Sequence, residues 1–363
     1  MAAAGVETDA QCRFGSSSSL PVPNVQQLAK ENPTLVPTRY IRDDIESPAA
    51  SYSTSGVPVI DLQKLLREDS GDSELHKLHF ACRDWGFFQL INHGVDTSLV
   101  EKAKREVLDF FNLPLEVKKN KYGQVEGEVE GYGQTFVVSE EQKLDWADMF
   151  YIHTLPPQTR SPRLFSNLPE SFRETMEAYS LEVNKLAMKV LSQVAKNLGI
   201  EEEEMSLLFE DGMQSIRMNY YPPCPLAEHV IGLSPHSDVG GLTILLQANE
   251  TQGLEIKKDG KWIPIVPIAN AFIVNVGDCV EIFSNGIYPS IEHRGVVSRD
   301  KERISIATFH SPKLDGELGP ATNLVTSQTP ANFKRVSVAD YFRLYLGRKL
   351  DGKSHTHVFR IGN

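Results

Sequence analysis

The stretch QSIRMNYYPPCPLAEHVIGLSPHSDVGGLTILLQANETQGLEIKKDGKWIPIV, residues 214–266, decides the fold. It holds short runs rich in branched and aromatic residues at 215–221, 242–247, 254–257 and 262–266, cut apart by Gly, Pro, Asn and Asp. Such runs predict strands, because branched and aromatic side chains pack well on a pleated surface. Asp259-Gly260, between two of them, predicts a tight hairpin, since both residues tolerate positive φ. The pattern continues at 272–276, 291–297 and 304–309. Many short strands at regular spacing predict a double-sheet jelly roll.

Toward the N-terminus the period changes. Residues 57–60 read as a buried strand, 73–84 as a helix, and 86–91 as a strand closed by an Asn92-His93-Gly94 turn. Residues 99–111 have helical spacing, and 170–198 form a long amphipathic stretch with Gly199 as terminator. A short helix is expected at 24–30. The predicted class is α+β, with a double-stranded β-helix (jelly-roll) core buttressed by N-terminal helices and a C-terminal helix. The expected division is a flexible tail and linker over 1–56, an N-terminal region over 57–165, a helical buttress over 166–210, the jelly-roll core over 211–315 and a C-terminal segment over 316–363.

The chain has 363 residues, 40% hydrophobic and 23% charged, enough to bury one large core. A net charge of -11 without a dense Lys/Arg stripe argues against nucleic acid as a partner. No apolar run approaches the ~18 residues that span a bilayer, and the N-terminus lacks a basic region followed by an apolar stretch. The expectation is a cytoplasmic monomer without a membrane partner. Cys12, Cys82, Cys224 and Cys279 lie far apart with no C-x-x-C pair, so neither a zinc finger nor a disulfide framework is predicted. No G-x-G-x-x-G or Walker pattern supports nucleotide chemistry.

The chemistry-bearing residues lie in the β-rich half. His236-Ser237-Asp238 places an imidazole and a carboxylate two residues apart, which in extended backbone puts both on one face. His293 follows several strands later and can supply a third ligand, giving a two-His, one-carboxylate set of the kind that holds non-haem iron. Arg303 and Ser305 share a strand face, offering a guanidinium fork and a hydroxyl to a carboxylate. Ala307 and Phe309 continue that face. Arg217, Asn219 and Tyr221 form a second polar face, which a solvated edge strand would also explain. His93 reads as a hydrogen-bonded turn residue and His310 has the wrong parity to face the site. His76, His79, His153, His229, His355 and His357 read as surface or packing residues. Glu126, Glu128 and Glu130 read as a solvated loop that could cover a site mouth.

Six segments together resemble the plant 2-oxoglutarate- and Fe(II)-dependent dioxygenases. They are VPVIDL at 57–62, WGFFQLINHGV at 85–95, RMNYYPPCP at 217–225, GLSPHSDVGGLTILLQ at 232–247, NVGDCVEIFSNGIYPSIEHR at 275–294 and ERISIATFHSP at 302–312. LDWADMF at 144–150 and RKLDGKS at 348–354 are similar to the branch containing thebaine and codeine O-demethylases and senescence-related dioxygenases. The resemblance implies that His236, Asp238 and His293 bind Fe(II), and that Arg303 and Ser305, helped by Tyr221, clasp the distal carboxylate of 2-oxoglutarate with Asn219 beside its other end. It implies dioxygen as cosubstrate, ascorbate as reductant, and Phe309, Arg217, Met149 and Tyr151 as substrate-facing positions. The expected reaction hydroxylates or O-demethylates a small aromatic specialised metabolite and releases succinate and CO2. Anthocyanidin-synthase relatives carry lysine at the place of Arg217 and tyrosine at that of Met149, which argues against a flavonoid substrate. The rival readings are a zinc hydrolase, which gives no role to Arg303 and Ser305, and a non-catalytic small-molecule binding module on the same fold.

Overall fold

The computed structural model describes residues 19–48, 56–67, 71–125, 128–134, 136–346 and 350–362. Twelve strands of the described residues build two facing sheets. They are β1 (Val59–Asp61), β2 (Phe87–Ile91), β3 (Gly131–Gly133), β4 (Asp148–Leu155), β5 (Met213–Tyr221), β6 (Ile231–His236), β7 (Leu242–Gln247), β8 (Leu254–Lys258), β9 (Lys261–Pro264), β10 (Phe272–Val276), β11 (His293–Val296) and β12 (Arg303–Ser311). The major sheet has the order β1-β2-β10-β7-β12-β5-β4-β3 and the minor sheet β6-β11-β8-β9. This is the expected jelly roll within an α+β fold.

Local chemistry explains several elements. Asp259 and Gly260 both take positive φ, 51° and 73°, the left-handed pair that a two-residue hairpin between β8 and β9 requires. The helix Glu170–Leu198 ends at Gly199, as its spacing predicts. It buries Phe172, Met176, Tyr179, Val183, Leu186 and Val190, a three-and-four repeat that makes one continuous stripe. Each such side chain removed from water is worth roughly 1.5–3 kcal/mol. The stripe joins the core that also holds Ile216, Ile244 and Ile306, on the outer face of the major sheet. Gln214 reaches the Ser180 carbonyl and His310 from that side, so His310 faces the helix layer and not the barrel interior.

Residues 1–18 and 49–55, the ends of the expected tail and linker, lie outside the described residues. Residues 19–48 pack against the barrel: Asn24 caps the helix Val25–Glu31, and Asp148 of β4 accepts hydrogen bonds from the backbone of Val25 and Gln26. Among the described residues no helix is long and apolar enough to cross a membrane. Cys82 and Cys279 are core residues, and Cys224 is a buried loop residue.

Candidate functional site

Strand pairing sets three inward rows across the major sheet. Thr243, Phe309, Ser215 and His153 form one, Leu245, Ala307, Arg217 and Tyr151 the next, and Gln247, Ser305, Asn219 and Met149 the third. Arg303 lies opposite Tyr221 at the end. The parity expected for β12 and β5 therefore holds along their whole length.

Facing these rows, His236 at the end of β6 and His293 at the start of β11 are direct cross-strand partners. Asp238 sits two residues past the end of β6, in the segment that leads to β7. Its Oδ1 lies 3.6 Å from His236 Nε2 and 3.7 Å from His293 Nε2. The three ligand atoms fall within 4.8 Å of one another, and all three residues are buried.

The surroundings fix the orientation of each donor. Nδ1 of His236 donates to the Ser234 carbonyl at 2.8 Å, and Nδ1 of His293 to the Ile291 carbonyl at 3.1 Å. A carbonyl can only accept, so the proton sits on Nδ1 and the Nε2 lone pair faces Asp238. Asp238 Oδ2 accepts from Thr243 Oγ1 at 2.6 Å and from Asn275 Nδ2 at 2.8 Å, leaving Oδ1 toward the histidines. Burial, reinforced by His293, pulls His236 down to about 3, keeping it neutral. Burial pushes the Asp238 carboxyl up, but the facing imidazoles and the bonds from Thr243 and Asn275 outweigh it and hold the group below its ordinary range. Two imidazoles and a carboxylate on one wall fit a divalent transition metal with a facial set of open positions.

Arg303 is 2% exposed, and burial pulls its pKa down. Its guanidinium lies over the Tyr221 ring at 5.0 Å and donates from Nη2 to Gln247 Oε1 at 3.0 Å. Its Nε is buried and has no hydrogen-bond partner among the described residues. A buried cationic fork with a free donor fits a carboxylate. Arg303 and Ser305 line the same cavity as His236, Asp238 and His293. Asn219 links the two halves of the interior: it donates to Ser305 Oγ at 3.4 Å and accepts from Arg217 Nε at 2.8 Å.

A second, largely apolar cavity opens beside His236 and Asp238. The four expected substrate positions, Met149, Tyr151, Arg217 and Phe309, all line it. Tyr151 donates to Ser215 Oγ at 2.8 Å on the same wall. The sequence reading did not anticipate Phe136, Phe342, Tyr345 and Leu350 as part of this lining. Nor did it anticipate Thr243 and Asn275, the supports of Asp238. His153, expected at the surface or in packing, is buried and lines the cavity. Glu130 also departs from expectation. It is buried, not solvated, and accepts from the His153 backbone N–H at 2.8 Å. Glu128 is exposed and pairs with Arg163, whereas Glu126 lies outside the described residues. His93 is the turn residue expected, bonded to the Asn270 carbonyl and the Val95 N–H.

The chain is similar to known proteins along most of its length. Residues 57–172 match the N-terminal family described as non-haem dioxygenase in morphine synthesis, and residues 212–312 match the 2OG-Fe(II) oxygenase superfamily. The chain is 50% identical to oxoglutarate-dependent flavonoid 7-O-demethylase 1 of Ocimum basilicum, over 95% of this chain and 92% of that protein. It is also 50% identical to codeine O-demethylase of Papaver somniferum, over 98% of this chain and 100% of the relative. The solved structure of JOX2 in complex with 2OG, Fe and JA is similar at a TM-score of 0.83 and 36% identity, with 94% of this chain and 98% of that chain covered.

Proposed function

The chain belongs to the 2OG-Fe(II) oxygenase superfamily, and from that premise we propose that it O-demethylates or hydroxylates a small methoxylated aromatic metabolite in the cavity between Phe309 and Tyr151. Fe(II) and 2-oxoglutarate are the cofactors of this enzyme class. In the reading advanced here His236, Asp238 and His293 hold the ion, and Arg303 with Ser305 takes the far carboxylate of 2-oxoglutarate. The observation that carries this reading is a single cavity lined on one side by the three-residue donor set and on the facing sheet by a buried guanidinium with a free Nε.

When bound, the iron supplies oxidative decarboxylation of 2-oxoglutarate by dioxygen. For a methoxyl substrate the balance is methyl ether, 2-oxoglutarate and O2 going to phenol, formaldehyde, succinate and CO2. The chain's own residues position and exclude water. Tyr221 backs the Arg303 guanidinium, and Asn219 holds the Nε of Arg217, which lines both cavities. Phe309, Met149 and Phe136 present apolar surface to an aromatic ring, while Tyr151 and Ser215 offer the polar contact that sets its orientation.

The likeness to a flavonoid 7-O-demethylase returns methoxylated flavones to the candidate list, against the expectation drawn from Arg217 and Met149. Methoxylated alkaloids stand beside them through the likeness to codeine O-demethylase. A monomeric cytoplasmic enzyme using ascorbate to keep its iron reduced completes the reading. The test is a mass-spectrometric screen of methoxylated flavones and alkaloids with Fe(II), 2-oxoglutarate and ascorbate. Loss of CH2 or gain of oxygen, with one succinate per product, supports the proposal. Succinate formation that no aromatic methyl ether or ring compound stimulates would overturn it.

A further inference from the structure

We propose that Glu281, outside both cavities, is a positioning residue that latches the C-terminal segment in place as a wall of the substrate cavity; this rests on the function proposed above. Glu281 lies in the helix Asp278–Phe283 and is 1% exposed. Its Oε1 accepts from Arg360 Nη2 at 2.8 Å, and its Oε2 from the Ser290 N–H at 2.7 Å and from Lys353 Nζ. Both cations come from residues 350–362, beyond the two stretches that match the family descriptions. A buried carboxylate with two cationic partners on one segment holds that segment firmly, because removing the partners strands a charge away from water.

The consequence reaches the site through Gly352. Its N–H donates to the Pro235 carbonyl at 3.0 Å and its carbonyl accepts from the Ser237 N–H at 3.3 Å, forming a parallel bridge alongside His236. Gly352 sits at φ 54°, where a side chain would be strained. Two residues earlier, Leu350 lines the cavity together with Arg217 and Phe309. Tyr345 lines it too, its ring edge-on to Phe136 at 5.6 Å between centroids. One side of the substrate cavity therefore depends on ion pairs to a tail, whereas none of the residues that line the 2-oxoglutarate cavity comes from that tail. The latch should govern how aromatic substrates fit without touching cosubstrate binding.

The experiment uses the full chain and the best substrate from the screen above. Lys353→Met with Arg360→Met removes both partly exposed cations, and Glu281→Gln removes the buried charge that they hold. The expected result for the double variant is a substrate KM raised roughly tenfold or more, with the 2-oxoglutarate KM within about twofold of wild type, as for loss of a binding contact away from the cosubstrate. Lys353→Arg should restore the substrate KM. Unchanged substrate KM in the double variant, or both KM values moving together with the melting temperature, overturns the latch. A wild type silent toward every compound strikes the proposed function instead. In that case amide exchange over residues 350–362 decides the latch: faster exchange in the double variant supports it, and wild-type exchange overturns it.

Discussion

His236 and His293 stand directly opposite one another across the β6–β11 ladder, ring centroids 4.3 Å apart, each with Nδ1 committed to a main-chain carbonyl. That commitment fixes which nitrogen is free before any ion arrives. The site is prepared by its backbone as much as by its side chains.

The supports of Asp238 follow the same logic. Replacing Asn275 by Ala or Thr243 by Val removes one of the two bonds that hold Oδ2 and loosens the carboxylate. Fe(II) affinity should fall about 10- to 100-fold, the usual cost of losing an outer hydrogen bond to a metal ligand. Equilibrium titration of the anaerobic protein with Fe(II) measures it, and an affinity equal to wild type would remove the role assigned to both residues.

Arg303→Ala removes the cationic fork. The loss of a charge-assisted contact of about 1.5–3 kcal/mol should weaken 2-oxoglutarate binding roughly ten- to a hundredfold. Calorimetric titration with 2-oxoglutarate reads this directly. An unaltered Kd would mean that the free Nε of Arg303 serves something else.

Phe309 stands where the two cavities meet, and Phe309→Ala is expected to act on the substrate side. The substrate KM should rise, or 2-oxoglutarate be consumed without matching product, while cosubstrate affinity stays near wild type. Paired titrations with cosubstrate and substrate separate the two. The reverse pattern would put the aromatic pocket on the wrong side of the iron site.

Glu130 introduces a dependence on pH. Burial, offset in part by the His153 N–H, pushes its carboxyl up from 4.5 to about 7, so the folded state favours the protonated form. A raised pKa contributes stability that is whole below the unfolded value and is lost as pH rises through the folded one. Glu130→Gln keeps an acceptor for the N–H and never ionises. Its melting temperature should gain on wild type as pH moves from about 5 to about 8. A difference that does not change with pH would show that Glu130 titrates as an ordinary carboxyl.

How far the sequence spoke for itself depended on whether a signal was local. Parity along β12 and β5 could be read because alternation is a property of one strand, and the Asp259-Gly260 hairpin because turn chemistry is local. β4 escaped notice: DMFYIHTL is buried on both faces and shows no alternation, so the strand that carries Met149 and Tyr151 had no periodic mark. The pocket residue Phe136 is far in the chain from Tyr345 and Leu350, and they meet only through packing. Thr243 reads from sequence as an ordinary strand residue, since its acceptor on Asp238 lies outside any strand, between β6 and β7. The extra wall supplied by Leu350 and Tyr345 was illegible for the same reason.

The most direct test of the account is succinate release by wild type and by His293→Ala, assayed with Fe(II), 2-oxoglutarate and the best substrate of the screen. Wild type should form succinate in step with demethylated or hydroxylated product. The His293→Ala protein, folded by circular dichroism and melting like wild type, should form neither, because the ion has lost one of three ligands. Turnover by His293→Ala at the wild-type rate would contradict the assignment of the iron site.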